Sequence, residues 1–530
     1  MSTASLLPTA SRARRWRFVL RRPAAWLLAR VRDPETGLWL VITFALLHGL
    51  IWTQTLVKLK AAQDVHMDVA EAFAWGQKFQ WGYGKHPPLS GWIAGLWFRF
   101  FPVADWATYL LAMTVLGVGL VLCYLVALRV VDRRRAFFVV VLLALYPIFN
   151  FKGFKYNPDL LQLVTLPLLV LAYLDAFKKR TWLSGVFLGL AGALALMTKY
   201  WVLTMIGAIG LAALIHPDRL KFLRSGAPWV GIATMVVAMI PHLIWLKSVD
   251  FVPLTYADDV YGHLGPALSA QQVLGYVEHN LGLLAVPVLL GLLALLWRSR
   301  FSAIWSRGPN PGVDSAQALN VWIIQIIVAI GPPLGGLALA VYMKTDWGIS
   351  LFFLVPLALV AIPRLRVRGL ALFRIVVIWF VLSLAALLAA PTIAEREMAE
   401  NPNSANSYAA RSQLARELTQ AWHERFGSRW AVVAGTTEIG EPMTFYSPDH
   451  PAPLTPGELW SSGLTSLDEA KRLGFIGICD TTDNRLPECE AWMKQNAPNA
   501  EQLVMTTQRF FQGHPGPSVA WKIYIQPPGK

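Results

Sequence analysis

Acidic, basic and aromatic residues gather in a few short segments of a chain that is otherwise strongly apolar. The first segment contains Asp68 and Glu71 and is followed by GYGKHPPL, which places Lys85 and His86 directly before two prolines. A lysine can hold an anionic phosphate as a point charge, and a carboxylate can act as a general base or orient a metal. Because proline fixes the local backbone, the lysine and histidine would be held in a set direction. The pattern therefore predicts a site for a phosphate-bearing substrate.

Further polar residues interrupt the apolar sequence at four later places, in KYNPDLL, TKY, PHLIW and MKTDW. The candidates for catalysis or binding in these places and in GYGKHPPL are Tyr83, Lys155, Asp159, Lys199, Tyr200, His242 and Lys344. The chain has neither GxxxxGK followed by Ser or Thr nor GxGxxG between a strand and a helix, so no nucleotide site is indicated. An activated donor would therefore be membrane-borne.

The composition indicates an integral membrane protein. Of the 530 residues, 55% are hydrophobic and only 15% are charged, and the mean hydropathy is +0.45, whereas a soluble domain has about 25% charged residues. Apolar runs of roughly 17 to 25 residues can cross a membrane as helices, and shorter runs are tolerated where the bilayer thins. The mainly α, polytopic fold has eleven predicted spans: 37–57, 106–128, 136–151, 159–177, 182–198, 200–215, 228–246, 280–298, 320–343, 349–362 and 370–390.

The apolar run 88–104 is not counted as a span because of the distribution of basic residues. This run is short, opens with a proline and contains Arg99. Lys and Arg collect in the cytoplasmic loops of membrane proteins. Five basic loops share the side of the Arg-rich N-terminus only if 88–104 does not cross: 129–135, 178–180, 216–224, 298–307 and 364–368. We therefore expect 88–104 to be an interfacial or re-entrant helix, and the candidate site residues to share the outer face.

The net charge of +15 follows largely from this topology. The Arg-rich segment 1–36 is expected to be a cytoplasmic amphipathic helix on anionic lipid head groups. The run 37–57 is expected to remain as an anchor because it is too long for a signal peptide. Nucleic acid is not an expected partner, since these basic residues lie at the membrane and not on a soluble face.

A second domain is expected from residue 391 to residue 530, where the sequence becomes polar. Leu414, Leu418 and Trp422 recur at helical spacing, and the helix is expected to end near Gly427. Three segments are expected to form strands, at 430–435, 474–480 and 519–526. The topology places this small α/β domain outside the membrane, in the periplasm if the cell has one.

The three cysteines fall in two environments. Cys123 lies within a predicted span, where it behaves as a small hydrophobe. Cys479 and Cys489 both lie in the outer domain. If the cell has a periplasm, this domain lies in an oxidising compartment. Whether they form a disulfide stays open, because spacing alone does not establish the geometry.

Four segments of the sequence together resemble a known family. The segment 68–92, KYNPDLL (155–161), MTKYW (197–201) and PHLIW (241–245) are similar to the integral-membrane glycosyltransferases of the GT-C fold. The similarity is greatest to the bacterial branch that contains the lipid A aminoarabinose transferase and the rhizobial galacturonosyltransferases, and it extends more distantly to protein O-mannosyltransferases. The resemblance covers roughly residues 37–390, as a transmembrane catalytic domain, with weaker motifs in the outer domain.

The resemblance implies roles for particular residues. The essential acid of the family's first outer loop matches Asp68 rather than Asp64, and the acid of its second outer loop matches Asp159. The element that helps to hold the donor phosphate matches the four residues 85–88. The family often has adjacent Asp and Glu, whereas Asp68 and Glu71 are three apart and would share one face of a helix. Which of the two acts as the base therefore stays open.

The implied reaction is transfer of a sugar from a polyprenyl phosphate to an acceptor on the outer face of the bacterial inner membrane, usually with inversion. The acceptor would be lipid A, the lipopolysaccharide core or another envelope glycolipid. The residues expected to act are Asp68, Glu71 and Asp159 in catalysis, Lys85, His86, Lys199 and Tyr200 in binding the donor phosphate, and Tyr83, Lys155, His242 and Lys344 in binding substrate.

A cofactor and two other functions stay open. A divalent metal is conceivable because His66, Asp68, Glu71 and His86 are suitable ligand types, although their spacing is not diagnostic. A transporter or flippase of lipid-linked sugars would place ionisable residues near the middle of the membrane, whereas here they gather at one boundary. A protein O-mannosyltransferase would differ in its acceptor.

Overall fold

The computed structural model describes residues 22–262, 264–297, 301–400, 405–458 and 463–529. A helix, α1, covers 22–32. The rest of the predicted amphipathic segment, residues 1–21, lies outside the described residues, as do residues 298–300 of one predicted basic loop.

Helices make up most of the chain up to residue 400. Their bounds are α2 Pro34–Leu59, α3 Met67–Gly76, α4 Leu89–Trp97, α5 Asp105–Leu128, α6 Arg133–Ala144, α7 Pro158–Lys179, α8 Trp182–Leu196, α9 Leu203–Ile215, α10 Arg219–Leu223, α11 Ala227–Ser248, α12 Val252–Tyr261, α13 Pro266–Leu296, α14 Ser315–Leu339, α15 Val355–Val360 and α16 Gly369–Glu400. Short 3₁₀ segments connect some of them, at Pro147–Phe149, Phe151–Phe154, Tyr200–Val202, Phe301–Ile304 and Thr345–Leu354.

Seven described helices are long and apolar enough to cross a membrane: α2, α5, α7, α11, α13, α14 and α16. Helix α6 and the 3₁₀ turns that follow it, bent by 77°, would make an eighth. Shorter apolar helices lie at Trp182–Leu196, Tyr200–Ile215 and Thr345–Val360, where the other three spans are predicted. The chain is therefore a multi-span helical protein, and the count of eleven stays a prediction that depends on these shorter helices.

The run 88–104 forms a helix too short to cross a bilayer. Helix α4 has 9 residues, which is about 14 Å at 1.5 Å per residue, against roughly 30 Å of hydrocarbon. It lies across α3, and the two backbones meet at Gly76 and Gly95, where a Cβ on either glycine would collide with the other helix. This close crossing fixes α3, which carries Asp68 and Glu71.

The C-terminal region is a small α/β unit. Its helices are α17 Ala405–Tyr408, α18 Arg411–Phe426, α19 Thr437–Tyr446, α20 Leu467–Leu473 and α21 Leu486–Asn496, and its strands are β1 Val432–Ala434, β2 Ala452–Leu454, β3 Phe475–Asp480, β4 Glu501–Phe511 and β5 His514–Gln526. The sheet order is β2-β1-β3-β5-β4. β1 is parallel to β2 and β3, and β5 is antiparallel to β3 and β4.

The three strands expected from the sequence are the central ones, β1, β3 and β5. They bury apolar side chains against α18, whose Leu414, Leu418 and Trp422 are fully buried. Helix α18 ends before Gly427, which has a left-handed φ of 57°. Cys479 and Cys489 form a disulfide that joins β3 to α21. Helix α16 runs through the predicted domain boundary at residue 390 without a break.

The α/β unit packs directly on the segment that carries the acidic residues. Phe445 of α19 contacts Phe73 of α3 edge to face, with ring centroids 5.5 Å apart. Just before α3, Asp64 is buried and forms ion pairs with Arg509 at 2.7 Å and Arg411 at 3.7 Å. Helix α3 is therefore enclosed by α4 on one side and by the α/β unit on another.

Candidate functional site

Cavity one, of about 280 Å³, lies where six stretches of the chain meet, at 67–71, 85–86, 157–159, 199–201, 253–256 and 344–347. Eight of the residues selected from the sequence line it: Asp68, Glu71, Lys85, His86, Asp159, Lys199, Tyr200 and Lys344. Its other lining residues include Asn157, Trp201, Tyr256 and Trp347. Segments far apart in the sequence thus bring carboxylates, ammonium groups and aromatic rings to one place.

The loop between α3 and α4 presents Lys85 and His86 through a tight turn. The Tyr83 amide donates to the His86 carbonyl at 3.0 Å, and the His86 amide donates back to the Tyr83 carbonyl at 3.2 Å. The Trp245 ring lies against Gly82, where any Cβ would collide with it. Helix α4 begins directly after the two prolines. The turn is therefore rigid, and PHLIW supports it from α11.

Tyr83, which the sequence predicts to bind substrate, does not line cavity one. Its ring is buried and stacks on Trp75, with centroids 5.1 Å apart. Its hydroxyl donates to the Lys78 carbonyl at 2.7 Å. The side chain therefore supports the turn that carries Lys85.

His242 also lies behind the cavity wall, buried in α11. Its Nδ1 lies 2.6 Å from the Trp81 carbonyl oxygen and its Nε2 lies 3.1 Å from the Tyr200 hydroxyl. Because the carbonyl only accepts, Nδ1 carries the proton and the Tyr200 hydroxyl donates to Nε2. His242 therefore orients Tyr200, which does line the cavity.

Asp68 lies near the start of α3 at the junction of cavity one with a second cavity. Its Oδ2 accepts a hydrogen bond from the Asn157 amide at 2.8 Å and lies 3.7 Å from the Lys155 ammonium. Burial would raise the pKa of Asp68, but His66, Lys155, Lys85 and the Asn157 amide together lower it well below its usual range. Asp68 is thus ionised at neutral pH.

Glu71 and Lys85 form a buried ion pair, with 2.5 Å between Oε1 and Nζ. Burial raises the pKa of Glu71 to about 7; Lys85 opposes this shift and Asp68 adds to it. Burial lowers the pKa of Lys85, but Glu71 and Glu441 outweigh it and raise the pKa, so Lys85 stays charged. The pair therefore combines a permanent cation with a carboxyl group that can exchange a proton near neutral pH.

The α/β unit adds a second carboxyl group to this pair. Glu441 of α19 is only 2% exposed, and burial together with the charge of Glu71 raises its pKa well above the usual range. Within the described residues its Oε2 has no hydrogen-bond partner. Glu441 lies on the same face of α19 as Phe445, four residues later, which contacts α3.

His86 is neutral in this setting. Burial and the charges of Lys199 and Lys85 lower the pKa of its ring well below the usual value. His86 can therefore supply a hydrogen bond to an anion in cavity one, while the positive charge comes from the lysines.

Asp159 and Lys199 form the second tight ion pair of cavity one. Lys199 Nζ lies 2.8 and 2.9 Å from the two carboxylate oxygens and 5.3 Å from the centre of the Trp347 ring. Asp159 is the second residue of α7, after the cap residue Asn157, whose Oδ1 accepts from the Leu160 amide at 2.9 Å. The start of α7 thus positions both Asp159 and the Asn157 amide that holds Asp68.

Cavity two, of about 260 Å³, adjoins cavity one and shares Asp68, Asn157, Asp159 and Lys344 with it. Three further charged residues line cavity two but not cavity one: Lys152, Lys155 and Asp346. Lys155 was selected from the sequence, and it lies 3.7 Å from Asp68 and 3.9 Å from Asp346.

The described residues contain no group of three or more His, Cys, Asp and Glu side chains placed to hold a metal ion. Of the four residues considered as ligands from the sequence, Glu71 pairs with Lys85, and the His66 Nδ1 accepts a hydrogen bond from the Asp68 amide at 3.1 Å.

Several participants lie outside what the sequence pattern indicated. Asn157 lies two residues before Asp159 in NPD. The feature of the sequence that could have indicated its role is its polar amide side chain. Asp346 belongs to MKTDW, two residues after Lys344. Glu441 lies in a part of the chain with weak motifs, and only the packing of α19 on α3 reveals its proximity to Lys85.

Comparison with known families identifies related sequences. The family model described as dolichyl-phosphate-mannose-protein mannosyltransferase matches residues 85–245, from Lys85 to the end of PHLIW. The lipid A galacturonosyltransferase RgtD of Rhizobium johnstonii is 22% identical over 310 residues, which is 56% of this chain and 60% of the relative. The lipopolysaccharide core galacturonosyltransferase RgtB of the same organism is 22% identical over 325 residues, 59% and 63% of the two chains. The matches thus span less than two thirds of these relatives.

A solved structure matches nearly the whole chain. The crystal structure of ArnT from Cupriavidus metallidurans bound to undecaprenyl phosphate superposes with a TM-score of 0.59 and 14% identity, covering 92% of this chain and 98% of that chain. The chain has the ArnT fold. The apo structure of ArnT gives the same TM-score with 12% identity. The ArnT fold, together with the family match, confirms the GT-C fold predicted from the sequence motifs.

Proposed function

We propose that this protein is an integral-membrane glycosyltransferase that moves a sugar from a polyprenyl-phosphate donor to an acceptor. The acceptor would be lipid A, the lipopolysaccharide core or another envelope glycolipid. The single observation that carries this proposal is cavity one, where two carboxylate–lysine pairs, a third carboxylate and a neutral histidine meet. The names of the rhizobial relatives and the lipid bound to ArnT support it.

The donor phosphate is proposed to lie between Lys85 and Lys199. As the sugar leaves, the phosphate gains a negative charge, and cations already in place stabilise that developing charge. His86 and Tyr200 would add hydrogen bonds. Each lysine is held by a carboxylate, so the phosphate would share a positioned ammonium group.

Asp68 is proposed to act at the anomeric carbon and the acceptor hydroxyl. The acceptor oxygen would form a bond to the anomeric carbon as the bond to the phosphate oxygen breaks, and the hydroxyl proton would pass to a carboxylate. Asp68 is ionised and held by Asn157, so it can accept that proton or offset positive charge on the sugar. Glu71, with a pKa of about 7, is the second candidate for the base. If the acceptor is a phosphate, no base is needed and Asp68 would orient the sugar.

The acceptor is proposed to approach through cavity three, of about 440 Å³, between α3 and the α/β unit. Its wall includes His66 and Met67 beside Asp68, and Arg411 and Glu438 from the α/β unit. Its polar lining suits a head group that carries hydroxyls or phosphates.

The reaction is proposed to occur on the periplasmic face of the bacterial inner membrane. All the segments that form cavity one belong to the loops that the distribution of basic residues assigns to the outer side. The disulfide between Cys479 and Cys489 supports an oxidising compartment for the α/β unit. The eleven-span topology, the domain limits 37–390 and 391–530 and the site roles belong to the same proposal.

The proposal is tested with purified protein and a polyprenyl-phosphate sugar labelled in the sugar and in the lipid. An enzyme releases polyprenyl phosphate and transfers the sugar label to an added lipid A acceptor. A flippase in proteoliposomes would move the intact donor across the bilayer and release nothing. Transfer of the sugar to a peptide acceptor alone would favour protein O-mannosylation, which the description of the matching family model makes the second candidate.

A further inference from the structure

Cavity two differs from cavity one in how its lysines are paired. In cavity one, Lys85 lies 2.5 Å from Glu71 and Lys199 lies 2.8 Å from Asp159. Both distances are in or below the range of charge-assisted hydrogen bonds, about 2.7 to 2.9 Å. These two ammonium groups are therefore already held by carboxylates.

The lysines of cavity two make only long contacts with carboxylates. Lys152 lies 3.5 Å from Asp346, and Lys155 lies 3.7 Å from Asp68 and 3.9 Å from Asp346. Within the described part of the chain, the Lys344 ammonium has neither a hydrogen bond nor an ion pair, and it lines both cavities. Lys152 Nζ also lies 3.1 Å from the His279 Nε2. Because each ammonium group has three donors, the three lysines still have donors that could bind an oxyanion.

The balance of charge in cavity two points the same way. Asp346 is the one carboxylate that lines cavity two without lining cavity one, and it faces Lys152, Lys155 and the His279 ring, whose Nε2 lies 3.2 Å away. Asp159 is already paired with Lys199. The lysines thus outnumber the carboxylates available to them, and an anionic group entering here would complete their hydrogen bonds.

The position of cavity two relates it to the transferred sugar. Asp68, which we place at the anomeric carbon, lies at its junction with cavity one. Cavity one is assigned to the donor phosphate and cavity three to the acceptor. Cavity two, like cavity one, is lined by Asp68, so a group bound there would lie next to the reacting sugar.

We propose that cavity two is a second oxyanion site, distinct from the donor phosphate site, and that Lys152, Lys155 and Lys344 bind a carboxylate on the transferred sugar. This inference rests on the proposed function and deepens it, because it names the substrate class as a polyprenyl-phosphate uronic acid. Lys152 becomes a specificity-determining residue that the sequence patterns did not select.

The test compares two donors that differ only at C6, undecaprenyl-phosphate galacturonate and undecaprenyl-phosphate galactose, each with intact and with dephosphorylated lipid A. The Lys152→Gln variant should lower the kcat/KM ratio of the uronate donor to the neutral donor by about ten- to hundredfold, the size expected for loss of a hydrogen bond to a charged group. Lys152→Arg should restore part of that ratio. Lys247→Gln, which changes an exposed lysine outside both cavities, should leave it unchanged.

Three outcomes would overturn the inference. Equal losses with both donors would mean that Lys152 holds the shared phosphate or only supports the fold. A loss that depends on the lipid A phosphates and not on C6 would assign the lysines to the acceptor. A wild-type protein that uses the galactose donor and rejects the galacturonate donor would contradict the uronate assignment while leaving the proposed function intact. Failure of wild-type protein to release undecaprenyl phosphate from either donor would instead contradict the proposed function itself.

Discussion

The proposed mechanism depends on the ionisation of a few buried residues. Asp68 is ionised, His86 is neutral, Lys85 is charged and Glu71 has a pKa of about 7. Each state follows from burial opposed or aided by a named neighbour. The chemistry assigned to each residue can therefore be tested by removing its charge without changing its shape.

Asp68→Asn should lower turnover about a hundredfold or more, because a positioned proton acceptor contributes roughly 10² to 10⁴. The amide keeps the size of the side chain, and binding of the donor should change little because the lysines that hold the phosphate remain. Single-turnover transfer and equilibrium donor binding separate the two effects. Asp218→Asn, at an exposed pair with Lys221, is the matched control. Full turnover by Asp68→Asn would remove Asp68 from the mechanism.

Donor binding should depend on pH through Glu71. Its pKa in the folded protein is raised to about 7, so Glu71 is protonated below pH 7 and ionised above it. Above pH 7 the carboxylate competes with the donor for Lys85, whereas below pH 7 the lysine is released to the phosphate. The donor is a phosphodiester whose single charge is constant in this range, so its Kd should increase by up to about tenfold per unit as pH rises above 7.

Glu71→Gln should abolish most of this pH dependence and give a Kd near the low-pH value of the wild type. Glu488→Gln, on the exposed side of α21, should keep the wild-type profile. Binding is measured by calorimetry between pH 6 and pH 8.5. A Glu71→Gln variant that retains the full pH dependence would assign the titration to another group, for which Glu441 is the first candidate because burial and Glu71 raise its pKa.

At the scale of secondary-structure elements, the position of α3 is set by its neighbours. Helix α4 crosses it at two glycines, and the α/β unit holds the residues before it through Asp64. The Asp64 carboxylate also accepts a hydrogen bond from the Arg411 amide at 3.1 Å, in addition to its ion pairs with Arg411 and Arg509. Asp64 therefore couples the α/β unit to α3. In the family resemblance, the essential acid of the first outer loop matches Asp68 and not Asp64.

Asp64→Asn should weaken this coupling by about 3 to 5 kcal/mol, the usual cost of leaving buried charges without their partner. We expect a lower Tm and faster proteolysis between α16 and α18. Glu501→Gln, which removes an exposed pair with Arg425, should change both measurements little. If the two variants were equally stable, the α/β unit would be held mainly by the apolar contacts of Phe445 and α19.

The sequence predicts those helices and strands whose apolar pattern lies within one short segment. Apolar runs located the membrane helices, and the short run 88–104 gave a helix of 9 residues. Alternation located β5, and the segments 430–435 and 474–480 gave β1 and β3. The edge strands β2 and β4 were missed because they bury few side chains and lack a clear alternation. The loop motifs indicated eight residues of cavity one, since charged residues are scarce in such a chain.

Pairings between distant residues could not be predicted in this way. The sequence offers no means of choosing Glu71 as the partner of Lys85, or Asp159 as the partner of Lys199. The same limit hid Glu441, which the docking of a separate unit brings close to Glu71 and Lys85. Tyr83 and His242 are residue types that often bind substrate, but both are buried here. Tyr83 supports the turn that carries Lys85, and His242 orients Tyr200.

At the scale of the whole molecule, the account requires one face of the membrane to carry every segment of the site. This is tested by labelling single cysteines with an impermeant maleimide, using Lys247→Cys near the predicted outer end of α11 and Lys221→Cys in the predicted cytoplasmic helix α10. Cys123 is buried and is replaced by alanine. In intact spheroplasts Lys247→Cys should react and Lys221→Cys should react only after permeabilisation. Equal labelling of both positions from outside would contradict the predicted topology.

The most direct test of the central claim is photo-crosslinking with an undecaprenyl-phosphate analogue that carries a diazirine beside its phosphate. The account predicts crosslinks to peptides that contain residues 67–88, 155–160, 199–202 and 344–347, and their loss in the presence of excess unlabelled undecaprenyl phosphate. Crosslinks confined to the basic loops on the opposite face, or spread evenly over the lipid-facing helices, would contradict the assignment of cavity one to the donor.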